Sequence, residues 1–204
     1  MNDNKTNIAL IDNYKDYNPP SFIHDSIDRL LSGIPQKYLI GIKSIILTNS
    51  KALTSDDRKS DNKKMKNGWM TLAFYSPAKK AKPSNISFSK PAHISMYIDR
   101  ILEKFPNYFL KLHFMQDVII GAILYHEIGH HIHYSKIPEY QEREIVAKKW
   151  KKHLINRYLW KQYWYCMISI YPLMKIAYYV LRKFIKKETN NKASGNQASP
   201  VARA

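Results

Sequence analysis

One cysteine, Cys166, stands in a chain of 204 residues, so no intrachain disulfide can form and a cysteine-rich zinc ribbon is excluded. Any metal has to be held by histidine and carboxylate. Acids are also scarce, 16 against 33 lysines and arginines, and the formal charge of +17 should draw the chain toward anionic partners such as nucleic acid phosphates or lipid headgroups. From Lys136 to Lys187 the imbalance is steeper, 13 basic residues against Glu139, Glu142 and Glu144. A solvated basic face explains such a run as readily as a binding surface does.

Long apolar runs are missing too. Behind Met-Asn-Asp-Asn-Lys there is no stretch of signal-peptide length and no lipidation pattern, which gives a cytoplasmic location as the expectation. The most apolar segment, Tyr165 to Met174, falls well short of the about 20 residues that a membrane span requires. Lys161, Gln162 and Lys175 bound it and Pro172 would kink it. No repeat of solenoid period is visible.

What remains is 45% apolar and large enough for one core. The polar first 20 residues, ending in Pro19-Pro20, suit a flexible lead-in. Ser21 or Asp25 can cap a helix whose stripe is Phe22, Ile23, Ile27, Leu30 and Leu31, stopped by Gly33 and Pro35. Residues 38 to 48 suit a buried strand, 51 to 68 a polar surface loop, and 69 to 76 and 85 to 89 two more strands. Residues 94 to 98 fit either period, and a strand to about Asp99 followed by a short helix is expected. Long helices follow over about 107 to 134 and 139 to 158, with Pro138 in the first turn of the second. The expected organisation is a domain over 21 to 157, an aromatic and basic helical segment over 158 to 186, and a disordered tail over 187 to 204.

Inside the first long helix lies His126-Glu127-Ile128-Gly129-His130, an HExxH pattern. Four residues advance an α-helix by little more than a turn, so the two imidazoles share a face and can reach one ion, as a tetrahedral zinc site requires. Glu127 points about 100° away around the axis. It is placed to act as general base toward a water that zinc makes acidic near neutral pH, and then to protonate a leaving amine. With eight histidines in the chain, a chance HExxH has a probability on the order of one percent, so the serious competitor is a helix using these groups for packing.

Two histidines leave the shell incomplete. Glu144 is the preferred third ligand, because Ala147 three residues on would let two helices approach beside the ion. Glu139 and Glu142 compete. Gly129 costs about 1 kcal/mol in a helix, which implies close backbone approach there, by a strand or a substrate. His131 and His133 suit surface or supporting positions, and Cys166 a buried small hydrophobe.

The run Leu124 to His133, followed by Glu144-Ile145-Val146-Ala147, resembles the gluzincin metallopeptidases, especially their minimal single-domain forms. The resemblance spans about Ile94 to Ile155. It implies a Zn2+ enzyme with His126, His130 and Glu144 as ligands and Glu127 as base, acting on protein or peptide substrates. It also implies an α+β fold: a small twisted sheet of three or four strands packed on the metal helix, with the following helix carrying the third ligand. An antiparallel edge strand should line the cleft, supplied by residues 94 to 98 or 85 to 89. Lys148 stands where some members have Asp, and His153 and Tyr158 are the candidates for steadying an oxyanion.

From its residues the segment after Tyr158 suits a helix packed on the core, a helix at an anionic membrane surface or, less readily, a nucleic-acid contact, and the resemblance implies a further role, a latency segment occupying the cleft. The rival to the whole reading is a non-enzymatic basic module that binds membrane surface or nucleic acid and keeps zinc as a structural or relic ion.

Overall fold

Ile42 to Thr48 is too apolar to leave either face in water, and in the computed structural model it runs as an interior strand of the sheet, with Ile42, Ile45 and Leu47 almost wholly buried. The structure describes residues 8–53, 71–78, 91–105, 108–136 and 143–169. In chain order the elements are β1 (Ala9–Asn13), α1 (Phe22–Ser32), β2 (Ile42–Thr48), β3 (Ala73–Ser76), β4 (Ala92–Tyr97), α2 (Ile98–Glu103), α3 (His113–Lys136) and α4 (Arg143–Gln162). The fold is mixed α+β around a four-stranded sheet of order β1-β2-β4-β3. Chain contacts divide it into two units, 1–161 and 162–204, and everything that follows concerns the first unless stated.

β2 pairs in parallel with β1, Ala9 opposite Ser44 and Asn13 opposite Thr48, and in parallel with β4, Ile45 opposite Ile94. β3 runs antiparallel to β4, with Ala73 opposite Met96 and Ser76 opposite His93, and among the described residues forms the other edge of the sheet. Of the two segments expected to supply a cleft strand, residues 94 to 97 lie inside the sheet with Ile98 opening α2, and residues 85 to 89 are outside the described residues; among the described residues the antiparallel edge is β3.

The lead-in also contains more order than its polarity suggests. Ala9 to Asn13 is mostly exposed and carries no buried stripe, so it has no periodic signature. Its order comes from outside itself. The β2 ladder holds it, Thr48 Oγ1 donates to the Asn13 carbonyl at 2.9 Å, and the Asn49 amide bridges both backbone groups of Lys15 at 3.0 and 2.8 Å.

The helices follow their apolar patterns more closely. α1 buries Ile23, Ile27 and Leu30, and its chain turns at Gly33, whose N–H reaches the Leu30 carbonyl. α2 starts as soon as β4 ends, so the ambiguous segment is a strand followed by a helix. α3 buries Ile119, Ile120, Leu124 and Tyr125. Residues 137–142, including Pro138, Glu139 and Glu142, are outside the described residues, and α4 is seen from Arg143.

In the second unit residues 164–169 are helical, with Trp164, Tyr165 and Ile168 exposed and Cys166 half-buried rather than enclosed. The remainder of the expected aromatic and basic segment, and the tail from 187, lie outside the described residues. Among the described residues no helix is long and apolar enough to cross a membrane.

Candidate metal centre

His126 and His130 stand one turn apart on α3 with ring centroids 4.7 Å from each other. Glu144, in the first turn of α4, faces both: its carboxylate oxygens lie 3.4 Å from His126 Nε2 and 3.3 Å from His130 Nε2. One ligand atom from each of the three residues falls within 4.8 Å of the others, the grouping of this kind found among the described residues. The three can hold a metal ion.

The donor set fits one on two counts. Burial pushes the pKa of both imidazoles below the ordinary histidine value; the His130 charge adds to this at His126, while Glu144 opposes it at both. Neutral rings and a carboxylate would then aim lone pairs at a shared point, an arrangement that a cation relieves. The spacing agrees as well, since donors about 2.0–2.1 Å from a tetrahedral ion stand about 3.3 Å apart. His126 Nδ1 is buried without a hydrogen-bond partner among the described residues, so Nε2 is the nitrogen turned to the site.

The close approach that brings Glu144 into range is visible at Gly129. A Cβ there would lie 2.7 Å from the Ala147 carbonyl oxygen and 2.9 Å from its Cα. The neighbour is therefore the backbone of α4, not a strand or substrate, and the sequence features at Gly129 and Ala147 are two halves of one contact. Gly129→Ala should lower both stability and metal affinity although alanine is the better helix former by about 1 kcal/mol, since overpacking costs about 1–3 kcal/mol. Unfolding and zinc titration of that variant check this; a stabilised protein with unchanged affinity would contradict it.

A cavity of about 980 Å³ opens over the three residues, lined on one side by Thr71 to Tyr75 and on the other by α3 and α4. Glu127 is on its wall and only 7% exposed. His133 and Tyr134 also reach it, Tyr134 being a turn beyond His130 on the same face. Compared with models of known families, with curated proteins and with solved structures, the chain matches none. The geometry alone carries the functional argument.

His131 has a structural part. It is buried, its Nε2 donates to the Ile40 carbonyl at 2.9 Å, and Nδ1 accepts from the Tyr75 hydroxyl at 3.0 Å. A carbonyl can only accept, which fixes the Nε2–H tautomer. Burial lowers the pKa of this ring, with the Ile40 bond acting against the shift, and burial followed by the Tyr134 charge raises that of Tyr75 to about 12. Gly41, at φ +100°, lets the chain pass close to the ring: a Cβ there would be 3.4 Å from His131 Cε1. His131 thus ties β3 to α3.

The two oxyanion candidates are not in the cavity lining. Tyr158 is buried with its hydroxyl 2.5 Å from Asp117 Oδ2, and His153 is exposed beside Trp150. The helix explains both. Tyr158 is 14 residues past Glu144, about 21 Å along the axis, and His153 is nine residues past it, on about the opposite face. The cleft residues that sequence reasoning passed over are Tyr75, Tyr134, Arg143 and Lys151. For Tyr134 and Lys151 a helical-face count from His130 and Glu144 would have sufficed.

Proposed function

We propose that the chain is a zinc-dependent metallopeptidase of the gluzincin kind, hydrolysing peptide bonds with Glu127 as general base. The observation that carries this is the convergence of His126 Nε2, His130 Nε2 and a Glu144 oxygen within 4.8 Å at a cavity that Glu127 also lines. In this reading α3 is the metal helix beneath the sheet, and α4 supplies the third ligand across the Gly129–Ala147 contact.

Zinc, when bound, supplies a Lewis acid that polarises a carbonyl and makes water acidic near pH 7. The protein's own groups do the rest. Glu127 accepts a proton from the attacking water at its carboxylate and returns it to the amine nitrogen as the peptide bond breaks. β3 offers its outer edge, so an extended peptide can add to the sheet by backbone hydrogen bonds with its susceptible bond over the cavity. His131, bonded to Tyr75, keeps that edge at a fixed distance from Glu127.

The test is metal analysis with peptide hydrolysis. About one zinc per chain is expected in the purified protein, falling to near zero in both His126→Ala and Glu144→Ala, with activity lost in parallel. Zinc retained in Glu144→Ala would remove the third-ligand assignment. Zinc bound with no cleavage of any unfolded protein would favour a structural ion in a basic binding module, whose partner binding would fall steeply with salt.

A further inference from the structure

Three cations border the same cavity as the metal residues: Arg143, Lys148 and Lys151. Glu144, Lys148 and Lys151 follow one another at i, i+4 and i+7, so α4 turns all three side chains to one face. Arg143 and Lys148 are exposed and Lys151 is half-buried, and among the described residues none of the three is in an ion pair. Among the described residues two carboxylates, Glu127 and Glu144, share the lining with them, and a bound divalent ion would engage one of those. The loaded cleft is therefore strongly positive, and an anionic occupant would balance it.

The cations are not spread evenly. Arg143 directly precedes Glu144, whereas Lys148 and Lys151 lie about 6 and about 10 Å beyond it along α4, so the cations stand on both sides of the Glu144 carboxylate along the cavity. The wall opposite them, Thr71 to Tyr75, belongs to a strand edge, whose alternating backbone N–H and C=O groups suit an extended peptide rather than a phosphate backbone.

We infer that this cleft selects acidic peptides, taking Glu or Asp side chains on both sides of the bond it cuts, with Arg143 receiving the carboxylate on one side and Lys148 with Lys151 the carboxylate on the other. The inference rests on the peptidase reading above and names its substrate class.

Its test measures binding apart from turnover. The zinc-loaded full chain carrying Glu127→Gln is titrated with two decapeptides that differ only in having glutamate or glutamine at the positions flanking the central bond. The glutamate peptide should bind about tenfold more tightly, and the gap should shrink as salt rises from about 50 to about 300 mM. Adding Lys148→Glu and Lys151→Glu should abolish the preference. The milder pair Lys148→Gln and Lys151→Gln should remove it for glutamate on one flank only, and Arg143→Gln for glutamate on the other.

Lys149→Glu with Lys152→Glu makes the same change of net charge on exposed positions outside the cavity lining, and should leave the preference intact. Equal binding of the two peptides would overturn the inference, as would an equal loss in the Lys149 and Lys152 control. Displacement of the glutamate peptide by oligothymidylate at concentrations below the peptide's own Kd would overturn it as well. The same peptides given to the unsubstituted, zinc-loaded chain separate the two claims: cleavage of neither would defeat the peptidase reading, while the affinities still decide the preference.

Discussion

Glu127→Gln is expected to lower kcat for peptide hydrolysis by about 10²–10⁴-fold while leaving about one zinc bound per chain, because general base catalysis contributes on that order. Glutamine has the size of glutamate and keeps an oxygen that can accept a hydrogen bond, but its amide cannot take up a proton from water at neutral pH. The change thus removes one function and little volume. Glu127 is suited to such a subtraction: it is nearly buried, lies on the cavity wall, and is outside the group of three that can hold the ion. A loss of zinc along with activity would show that Glu127 also supports the metal residues, and full turnover in Glu127→Gln would end its assignment as base. Glu144→Gln makes the same chemical change 17 positions later and should weaken zinc binding instead.

The contrast between those two glutamates also shows which parts of the site were legible in the sequence. His126, Glu127 and His130 belong to one helix, and their relative placement follows from 3.6 residues per turn alone. Glu144 needed a second element, and the clue was again local: glycine at 129 and alanine at 147 are the small residues that a close helix crossing demands. Where a position depends on distant chain, sequence reasoning failed or fell silent. β3 is a short strand of four half-buried residues, and nothing in Ala73 to Ser76 says that it rather than the neighbouring segments faces the metal helix. That placement is set by antiparallel pairing with β4 and by the Tyr75–His131 hydrogen bond, both between residues far apart in sequence. β1 is a similar case, ordered by its partner and not by its own pattern. His153 and Tyr158 are of residue types that can steady an oxyanion, but the rotation and rise along α4 separate both from His126, His130 and Glu144.

Tyr158 leads to the second large effect. Asp117→Ala is expected to destabilise the fold by about 3–5 kcal/mol, the usual cost of breaking a buried ion pair from one side. Asp117 is 0% exposed, and three donors converge on it: Arg29 Nη2 at 2.8 Å, Arg29 Nε at 3.3 Å and the Tyr158 hydroxyl at 2.5 Å. These partners come from α1 and α4, so one carboxylate on α3 joins three helices. Leu30 reinforces the same corner, its carbonyl accepting from the buried Tyr125 hydroxyl at 3.0 Å. Alanine would leave the buried phenol without its acceptor, and would leave the guanidinium, about a third exposed, to its bond with Ser26 and to water. In thermal unfolding of a chain this size the loss should appear as a fall in Tm of roughly 6–20 °C, at about 2–4 °C per kcal/mol. Asp117→Asn, which keeps an acceptor but not the charge, should fall between alanine and the parent. Combining Asp117→Leu with Arg29→Met and Tyr158→Phe should recover much of the stability, because a buried polar group replaced as a whole by apolar side chains costs far less than one left half intact. A single Asp117→Ala variant within about 1 kcal/mol of the parent would mean that the pair contributes no more than an exposed surface bridge, and that apolar burial alone holds α1 and α4 against the metal helix.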